Sequence, residues 1–455
     1  MFKRIQKIHF VGIGGVGMSG IAEVLLNQGF SVSGSDVRES PTTQRLASLG
    51  ANIFQGHHAE HLKEVDVVVI SSAIKPSNPE VVEAHLRQIP LIPRAEMLAE
   101  LMRSKYGITV AGTHGKTTTT SMIAVMLQRA GMDPTVVVGG RLNALGSNAK
   151  LGTGDFMVVE TDESDRSFLL LSPTLAIVTN LDEDHMESYD GMEDLKNSFV
   201  LFMNKVPFYG TVILCLDDPH LQSLIPRIRR RILSYGFSGQ ADLHILTPSF
   251  AGFRSQFQLR IRGKDLGEFE LRIPGKHNVL NAAAAVAVGI DLGISIETLK
   301  EALKSFSGAD RRFQVRGQAR GVTVIDDYAH HPTEIKATLE AARQLGDQRI
   351  VVVFQPHRYS RTQYCFDEFA RSFYQADVVI VTDIYPAGEE PLEGVSSERL
   401  VESIQSFGHK NVRYVPTLPE IPTILDRELK EGDLVILMGA GNIWKVSEDL
   451  LHRLQ

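Results

Sequence analysis

The stretch Ala111-Gly112-Thr113-His114-Gly115-Lys116-Thr117-Thr118 decides how the chain is read. It follows the apolar run Ile108–Ala111 and leads into a helical stretch, Thr118–Ala130, closed by Gly131. A strand, a glycine turn and a helix opening on Lys-Thr is the setting of a P-loop, whose backbone amides wrap phosphates at a helix N-terminus. Val110 stands where the usual first glycine would be. Gly112, Thr113, His114, Gly115, Lys116, Thr117 and Thr118 are therefore candidate ATP contacts. Lys116 is placed to neutralise a transferring phosphoryl group, and Thr117 to hold Mg²⁺.

Working outward, two further strand ends carry acid and imidazole. Phe156–Val159 reads as a strand with Glu160 at its C-terminal end, where open α/β sheets place ligands. The strand Leu175–Thr179 runs into Asn180-Leu181-Asp182-Glu183-Asp184-His185. Glu160 and His185 are candidate catalytic and metal-binding groups near the P-loop. Magnesium favours oxygen, so a histidine ligand would be unusual. Asp162, Glu163 and Asp165 are expected to cap the following segment or face solvent.

A second glycine turn lies near the start. Gly12-Ile13-Gly14-Gly15-Val16-Gly17 contains the GxGxxG spacing between a strand at Lys7–Val11 and a helix. Glycines there allow close approach to phosphates, and Asp36, ending the next strand, could reach a ribose hydroxyl. Gly14, Gly15, Gly17 and Asp36 are candidate substrate contacts, with Ser71 and Ser72 beyond the strand Val65–Ile70.

Farther along, Asn278 and Asn281 share one helix face and suit an adenine edge or phosphate–ribose contacts. Capping by Asn278 explains the spacing equally well. Arg311 and Arg312 sit at a segment boundary, where a cation could reach ATP on domain closure; Arg312 is the candidate. Two strands then end in polar clusters, Asp326–Glu334 and Phe354–Thr362. His331, His357, Arg358 and Arg361 are substrate candidates, the arginines because guanidinium holds a carboxylate bidentately.

The pattern around these motifs is α/β throughout. Three domains are expected: a Rossmann-like N-terminal domain over 1–105, a central P-loop ATPase domain over 106–315 and a C-terminal α/β Rossmann-like domain over 316–455. The central domain should carry a parallel sheet plus a small antiparallel element, because Phe257, Leu259 and Ile261 alternate with polar residues, Gly263 turns, and Phe269, Leu271 and Ile273 alternate back. Arg103–Gly107 reads as a linker, and each domain is long enough for its own core.

Composition limits the function. The 455 residues are 43% hydrophobic and 22% charged, which excludes a disordered or fibrous chain. Lys+Arg 47 against Asp+Glu 54 gives −7, which argues against general nucleic-acid binding. Two cysteines cannot build a disulfide framework or a cysteine metal cluster. The glycines after Val11 break any signal-peptide core, and no run of about 18 uncharged apolar residues exists. A cytoplasmic enzyme without membrane attachment is expected.

Two nucleotide fingerprints in separate blocks favour an enzyme that uses ATP and a nucleotide-bearing substrate. A dehydrogenase or nucleotide-sensing protein would explain only the first.

Taken together, the motifs resemble the Mur ligase family over essentially the whole chain. Ala111–Thr118 matches its ATP loop, Glu160–Asp165 its acidic motif, and Asn180–Met186 its Asn-x-x-x-Asp-His-Met segment. His277–Asn281, Asp326–Glu334 and Pro356–Thr362 match later motifs. Gly12–Ser19 points to the branch that adds L-alanine. Many relatives carry a carbamylated lysine that helps hold a second Mg²⁺; here that region reads Ser198-Phe199-Val200-Leu201, with Lys196 out of register. That departure fits the same branch and leaves His185 as the candidate for the second metal. The resemblance implies ATP and Mg²⁺ as cofactors, with UDP-N-acetylmuramate bound by the first domain and L-alanine by the third. It implies an amide ligase of peptidoglycan precursor synthesis working through an acyl phosphate, as a monomer or weak homo-oligomer. Addition of another amino acid or of a recycled peptide is the alternative within the family.

Overall fold

A computed structural model describes residues 5–71, 73–142 and 147–455 of the chain. Three sheets organise it. The first is parallel, in the order Asn52–Gln55, Ser31–Asp36, Lys7–Val11, Val67–Ile70 and Leu91–Pro93. Its strand order reverses beside Lys7–Val11, so the glycine turn after Val11 lies at the switch point where such sheets bind ligands.

The second sheet is parallel through Arg231–Gly236, Thr211–Cys215, Leu175–Val178, Tyr106–Ala111, Phe156–Glu160 and Thr135–Leu142, in that spatial order. Leu175–Val178 and Thr211–Cys215 are wholly buried, as expected of strands covered on both faces. The predicted hairpin forms from Arg254–Ile261 and Lys264–Leu271, and Leu243–Ile245 pairs antiparallel with its first strand. Phe257 and Phe269 stack with ring centroids 5.9 Å apart.

The third sheet runs Gln314–Ala319, Val322–Asp327, Leu434–Met438, Ile350–Phe354, Val378–Val381 and Val412–Tyr414. All its pairings are parallel except the first. That first pair turns through Arg320 and Gly321, both at positive φ, as a two-residue hairpin requires.

Several local expectations shift. Arg231–Gly236 and Gln314–Ala319 are strands without the continuous apolar run that marks a buried one. The helix after the P-loop begins at Lys116, two residues earlier than expected, so Lys116 and Thr117 lie in its first turn. Arg103–Gly107 is not a loose linker: Tyr106 and Gly107 already belong to the central strand, and only three residues separate it from the helix Arg94–Met102.

Contacts divide the chain into two compact units. One comprises Met1–Leu246, Gln258–Gly267 and Leu280–Phe306; the other comprises Thr247–Phe257, Glu268–Val279 and Ser307–Gln455. Within the first unit, Phe10, Ile21 and Leu98 of the N-terminal region share one buried cluster with Val137, Met157 and Val159 of the central sheet. The two sheets thus share part of their core, while Val11, Leu62, Val68 and Ala84 form a further buried cluster within the N-terminal region. The linking chain is too short to hold the two sheets apart, and their apolar faces are buried together. In the second unit, Phe354, Phe369 and Phe373 pack on one side of the C-terminal sheet, and Val353, Ile380 and Leu437 on the other. Cys215 and Cys365 are both buried and free. Among the described residues, no helix is long and apolar enough to cross a membrane.

Candidate active site

The central strand Tyr106–Ala111 lies between Leu175–Val178 and Phe156–Glu160, all parallel, so three strand ends converge on one loop. Two glycines make that loop possible. Gly112 has φ +125°, and a Cβ there would lie 2.2 Å from the Thr179 hydroxyl oxygen. Gly115 has φ +82°, and a Cβ there would meet Asn281 Oδ1 at 2.5 Å. Any side chain at either position would displace the loop or its neighbour. The helix that follows has no side-chain cap at Gly115, which leaves its first backbone amides free for an anion.

The segment after Leu175–Val178 braces the loop. Asn180 accepts from the His114 amide at 2.8 Å and donates to the His114 carbonyl at 3.0 Å. The Thr179 hydroxyl donates to that carbonyl at 2.6 Å, and the His114 ring meets Asp182 at 2.9 Å. The loop backbone is therefore held from outside by side chains of a neighbouring strand end.

The charged groups meet inside it. Lys116 Nζ donates to the carbonyls of Gly112 at 2.6 Å and Thr113 at 3.0 Å, and to Glu163 Oε1 at 2.6 Å. Burial works against the ammonium, but the charges of Glu163, Glu160 and Asp162 outweigh it and hold its pKa above the ordinary lysine value. The Thr117 hydroxyl donates to Glu160 Oε1 at 2.7 Å. Thr118 is buried in the same first turn.

Glu163 departs from expectation. It is 3% exposed rather than capping or solvated, and it carries the ion pair with Lys116. Its neighbours do behave as expected: Asp162 accepts from the Ser164 amide at 3.0 Å and Asp165 from the Ser167 amide at 2.9 Å. The signal that could have separated Glu163 was its place three residues past Glu160, at a strand end beside a P-loop.

A divalent cation suits these donors. Thr117 and Glu160 offer two hard oxygens already in contact. Glu163 Oε2 and His185 Nδ1 are both buried with no hydrogen-bond partner among the described residues. Unsatisfied buried atoms of this kind are uncommon and consistent with an ion. His185 is in the left-handed conformation at φ 59°. Lys196 pairs instead with Glu193 at 3.1 Å.

The N-terminal glycine turn is tied to its own domain. The Gly12 and Ile13 amides bond to the Ser35 carbonyl, and the Gly14 amide bonds to Asp36 Oδ2 at 2.9 Å. One Asp36 oxygen thus shapes the turn. Gly15 precedes the helix Val16–Asn27, and Gly17 lies directly under Arg94. Arg94 also reaches Asp162 at 3.4 Å, so one cation lies between the glycine-turn helix and the acidic motif. Ser71 accepts from the Ala73 amide at 3.2 Å. Ser72 lies outside the described residues.

The helix Lys276–Asp291 starts before Asn278, which therefore sits in the first turn rather than at the cap. Its side-chain Nδ2 donates to the Pro274 carbonyl at 2.6 Å. Asn281, one turn on, faces Gly115 as described.

In the second unit, Arg312 pairs with Glu334 at 3.2 Å and lies 5.0 Å from the Tyr328 ring centre. Arg311 is anchored to Asp326 at 3.2 Å and to the Gly439 carbonyl at 2.6 Å. Burial pushes Asp327 up to about 6, against the pull of Arg312. His331 caps the helix Pro332–Arg343, accepting from the Thr333 amide, and its other ring nitrogen is 3.7 Å from Cys365 Sγ. His357 stacks on Tyr385 with centroids 5.6 Å apart and approaches Arg361 at 3.3 Å. Arg358 opens the short helix Tyr359–Tyr364 at φ 70°, its amide bonded to the Tyr385 carbonyl at 2.9 Å. His357, Arg358 and Arg361 thus share one strand end.

A Gly-Lys-Thr loop on the central strand, flanked by a metal-ready acid and a buried carboxylate on its lysine, defines a P-loop nucleotide-dependent enzyme. Three family models cover nearly all of this chain: the Mur ligase family catalytic domain over residues 7–106, the Mur ligase middle domain over 110–289, and the glutamate ligase domain of Mur ligases over 311–441. The chain belongs to the Mur ligase family. It is 57% identical over 456 aligned positions to a UDP-N-acetylmuramate–L-alanine ligase of Geobacter sp. (strain M21), covering 100% of this chain and 99% of that one. It is also 57% identical to the Solibacter usitatus protein of the same name, at 100% and 97% coverage. A crystal structure of the UDP-N-acetylmuramate–alanine ligase of Thermotoga maritima superposes with a TM-score of 0.84 at 32% identity, over 98% of each chain.

Proposed function

We infer that this protein is an ATP- and Mg²⁺-dependent ligase that joins L-alanine to the lactyl carboxylate of UDP-N-acetylmuramate, a step in peptidoglycan precursor synthesis. The observation that carries this reading is end-to-end identity to ligases of that name, in a chain whose P-loop keeps its lysine, hydroxyl and carboxylates in contact. Since the substrate is a nucleotide-activated sugar, we place the enzyme in the cytoplasm.

The chemistry follows from the reactants. A free carboxylate is a poor acylating agent because oxide is a poor leaving group. Attack of the lactyl carboxylate oxygen on the γ-phosphorus of ATP forms an acyl phosphate and releases ADP. The alanine amine, in its neutral form, then adds to the acyl carbon; one amine proton is lost, phosphate departs as hydrogen phosphate carrying it, and the amide remains. The first step asks little covalent chemistry of the protein and much positioning and charge neutralisation.

In this reading the 112–115 turn and the amides of the 116–118 helix start hold the phosphates. Lys116 offsets negative charge on the transferring group, and Glu163 keeps its ammonium aimed into the loop. Thr117 and Glu160 would hold Mg²⁺, with His185 as a further candidate ligand. When bound, the ion would supply charge neutralisation. Asn278 and Asn281 serve the nucleotide, and Arg312 the phosphates. The switch-point turn with Gly14, Gly15, Gly17, Asp36 and Ser71 holds the UDP end of the substrate. His331, His357, Arg358 and Arg361 serve the amino acid from the C-terminal domain. The first domain keeps the range 1–105, but the expected boundary between 106–315 and 316–455 falls inside the strand Gln314–Ala319, which pairs in the third sheet, so the C-terminal domain starts ahead of Gln314.

Phosphate release from MgATP tests the assignment. Release should require both UDP-N-acetylmuramate and L-alanine, with the amide product seen by mass. Release with a muropeptide-type tripeptide but not with L-alanine would overturn the amino-acid assignment and leave the ATP chemistry standing. An absence of release with L-alanine, glycine, L-serine or the tripeptide would overturn the ligase reading.

A further inference from the structure

A second group of metal-ligating side chains lies in the N-terminal domain, outside the ligase chemistry described above. Glu80, in the first turn of the helix Pro79–Leu86, is wholly buried. Three imidazoles converge on its carboxylate. His9 Nε2, from the middle of the first strand, is 3.3 Å from Oε1. His61 Nδ1, from the short helix Ala59–Leu62, is 2.6 Å from the same oxygen. His57 Nδ1, on the loop between that helix and the strand Asn52–Gln55, is 2.9 Å from Oε2. The ligand atoms of His9, His61 and Glu80 all lie within 4.8 Å of one another.

We propose that His9, His61 and Glu80 form a Zn²⁺ site that ties the helix Pro79–Leu86 and the short helix Ala59–Leu62 to the first sheet.

Three features support zinc. Tetrahedral Zn²⁺ with ligand distances of about 2.0–2.1 Å places its ligand atoms about 3.3 Å apart. The His9–Glu80 separation already has that value, the His61–Glu80 contact needs to open by less than about 1 Å, and all three ligand atoms lie within 4.8 Å of one another. Two imidazoles and a carboxylate are donors that zinc accepts, with a fourth position left open. The outer contacts are those that orient metal ligands: Ser33 Oγ holds His9 Nδ1 at 2.8 Å, leaving Nε2 toward the centre, and Ser35 Oγ donates to Glu80 Oε2 at 2.6 Å. Phe54 stacks on His61 with centroids 4.1 Å apart and fixes that ring.

Electrostatics points the same way. A buried carboxylate has to be hydrogen-bonded or paired with charge, and Glu80, with no lysine or arginine among the ion pairs of the described residues, relies on Ser35 and the three imidazoles. A dication would add positive charge there and leave His9 and His61 neutral. His57 and His61 keep 15% and 12% side-chain exposure, which gives an ion a way in. The proposal does not depend on the ligase reading.

The test uses the full chain, stripped with a chelator, dialysed, and then loaded with Zn²⁺ in excess Mg²⁺ so that the P-loop oxygens are occupied. Elemental analysis should find one zinc per chain, with a rise of a few degrees in melting temperature. His61→Ala, at a partly exposed ligand, should lose at least tenfold in zinc affinity and lose the thermal shift. His185→Ala should retain both. Cobalt substitution should give the visible absorption of a tetrahedral centre in the wild type and not in His61→Ala. No retained zinc in the wild type, or equal zinc and equal thermal shift in His61→Ala, would overturn the site.

Discussion

Two glycine turns follow the central strands of two adjacent parallel sheets, and they are built differently. The turn at Gly12–Gly17 is shaped by its own domain: the Ser35 carbonyl and the Asp36 carboxylate take its amides, and the described residues place no lysine within it. The turn at Gly112–Gly115 is braced by Thr179, Asn180 and Asp182 and closes on a lysine held by a buried glutamate. The same sequence punctuation thus makes one loop whose amides bond largely within its own domain and one that closes on a buried, charged lysine. The difference lies in which charged groups the neighbouring strand ends deliver, since glycines alone supply only access and amides.

Substitutions should separate the two loops. The largest effect belongs to Lys116→Ala, which should cost about 3 kcal/mol or more in transition-state stabilisation, read as lost kcat for phosphate release. Near-normal turnover would remove the distinction between the loops. Glu163→Gln keeps the shape but weakens the pair with Lys116. About 2 kcal/mol should be lost, mainly in kcat, as for a hydrogen bond between charged groups. A wild-type kcat would show that the carbonyls of Gly112 and Thr113 suffice to aim the ammonium.

Arg358→Ala, outside both loops, should raise KM for L-alanine about tenfold, near 1.4 kcal/mol. A change confined to ATP would contradict its place with the amino acid. The smallest effect is expected of Asp36→Ala. Loss of one hydrogen bond to Gly14 should cost about 1 kcal/mol, seen as a higher KM for UDP-N-acetylmuramate with kcat little changed. A large fall in kcat there would mean that the first turn takes part in the chemistry after all.

Much of the fold was legible because buried parallel strands are short apolar runs and glycine marks their ends. The strand read from Phe156 forms as Phe156–Glu160, with Glu160 at its C-terminal end. Arg231–Gly236 did not stand out, because Arg231, Ser234 and Gly236 interrupt its apolar character. The antiparallel pair through Arg320-Gly321 did not stand out, since the signal of its first strand is a turn rather than a hydrophobic run. Asn278 was open between capping and binding; the helix start at Lys276 removes the cap, because a cap must precede the first helical turn.

The sequence by itself determined three α/β segments, the P-loop with Lys116 and Thr117, and the strand end carrying Glu160, because each is a local pattern of periodicity and spacing. Only the tertiary structure decided that Glu163 is buried on Lys116, that Asn180 clamps His114, that Asp36 serves the glycine turn, and that His9, His57 and His61 surround Glu80. Those partners come from strand ends and helices as many as 71 residues apart. A side chain's burial and charge environment depend on which strands lie side by side, and hydrophobic periodicity along one segment carries no record of its neighbours.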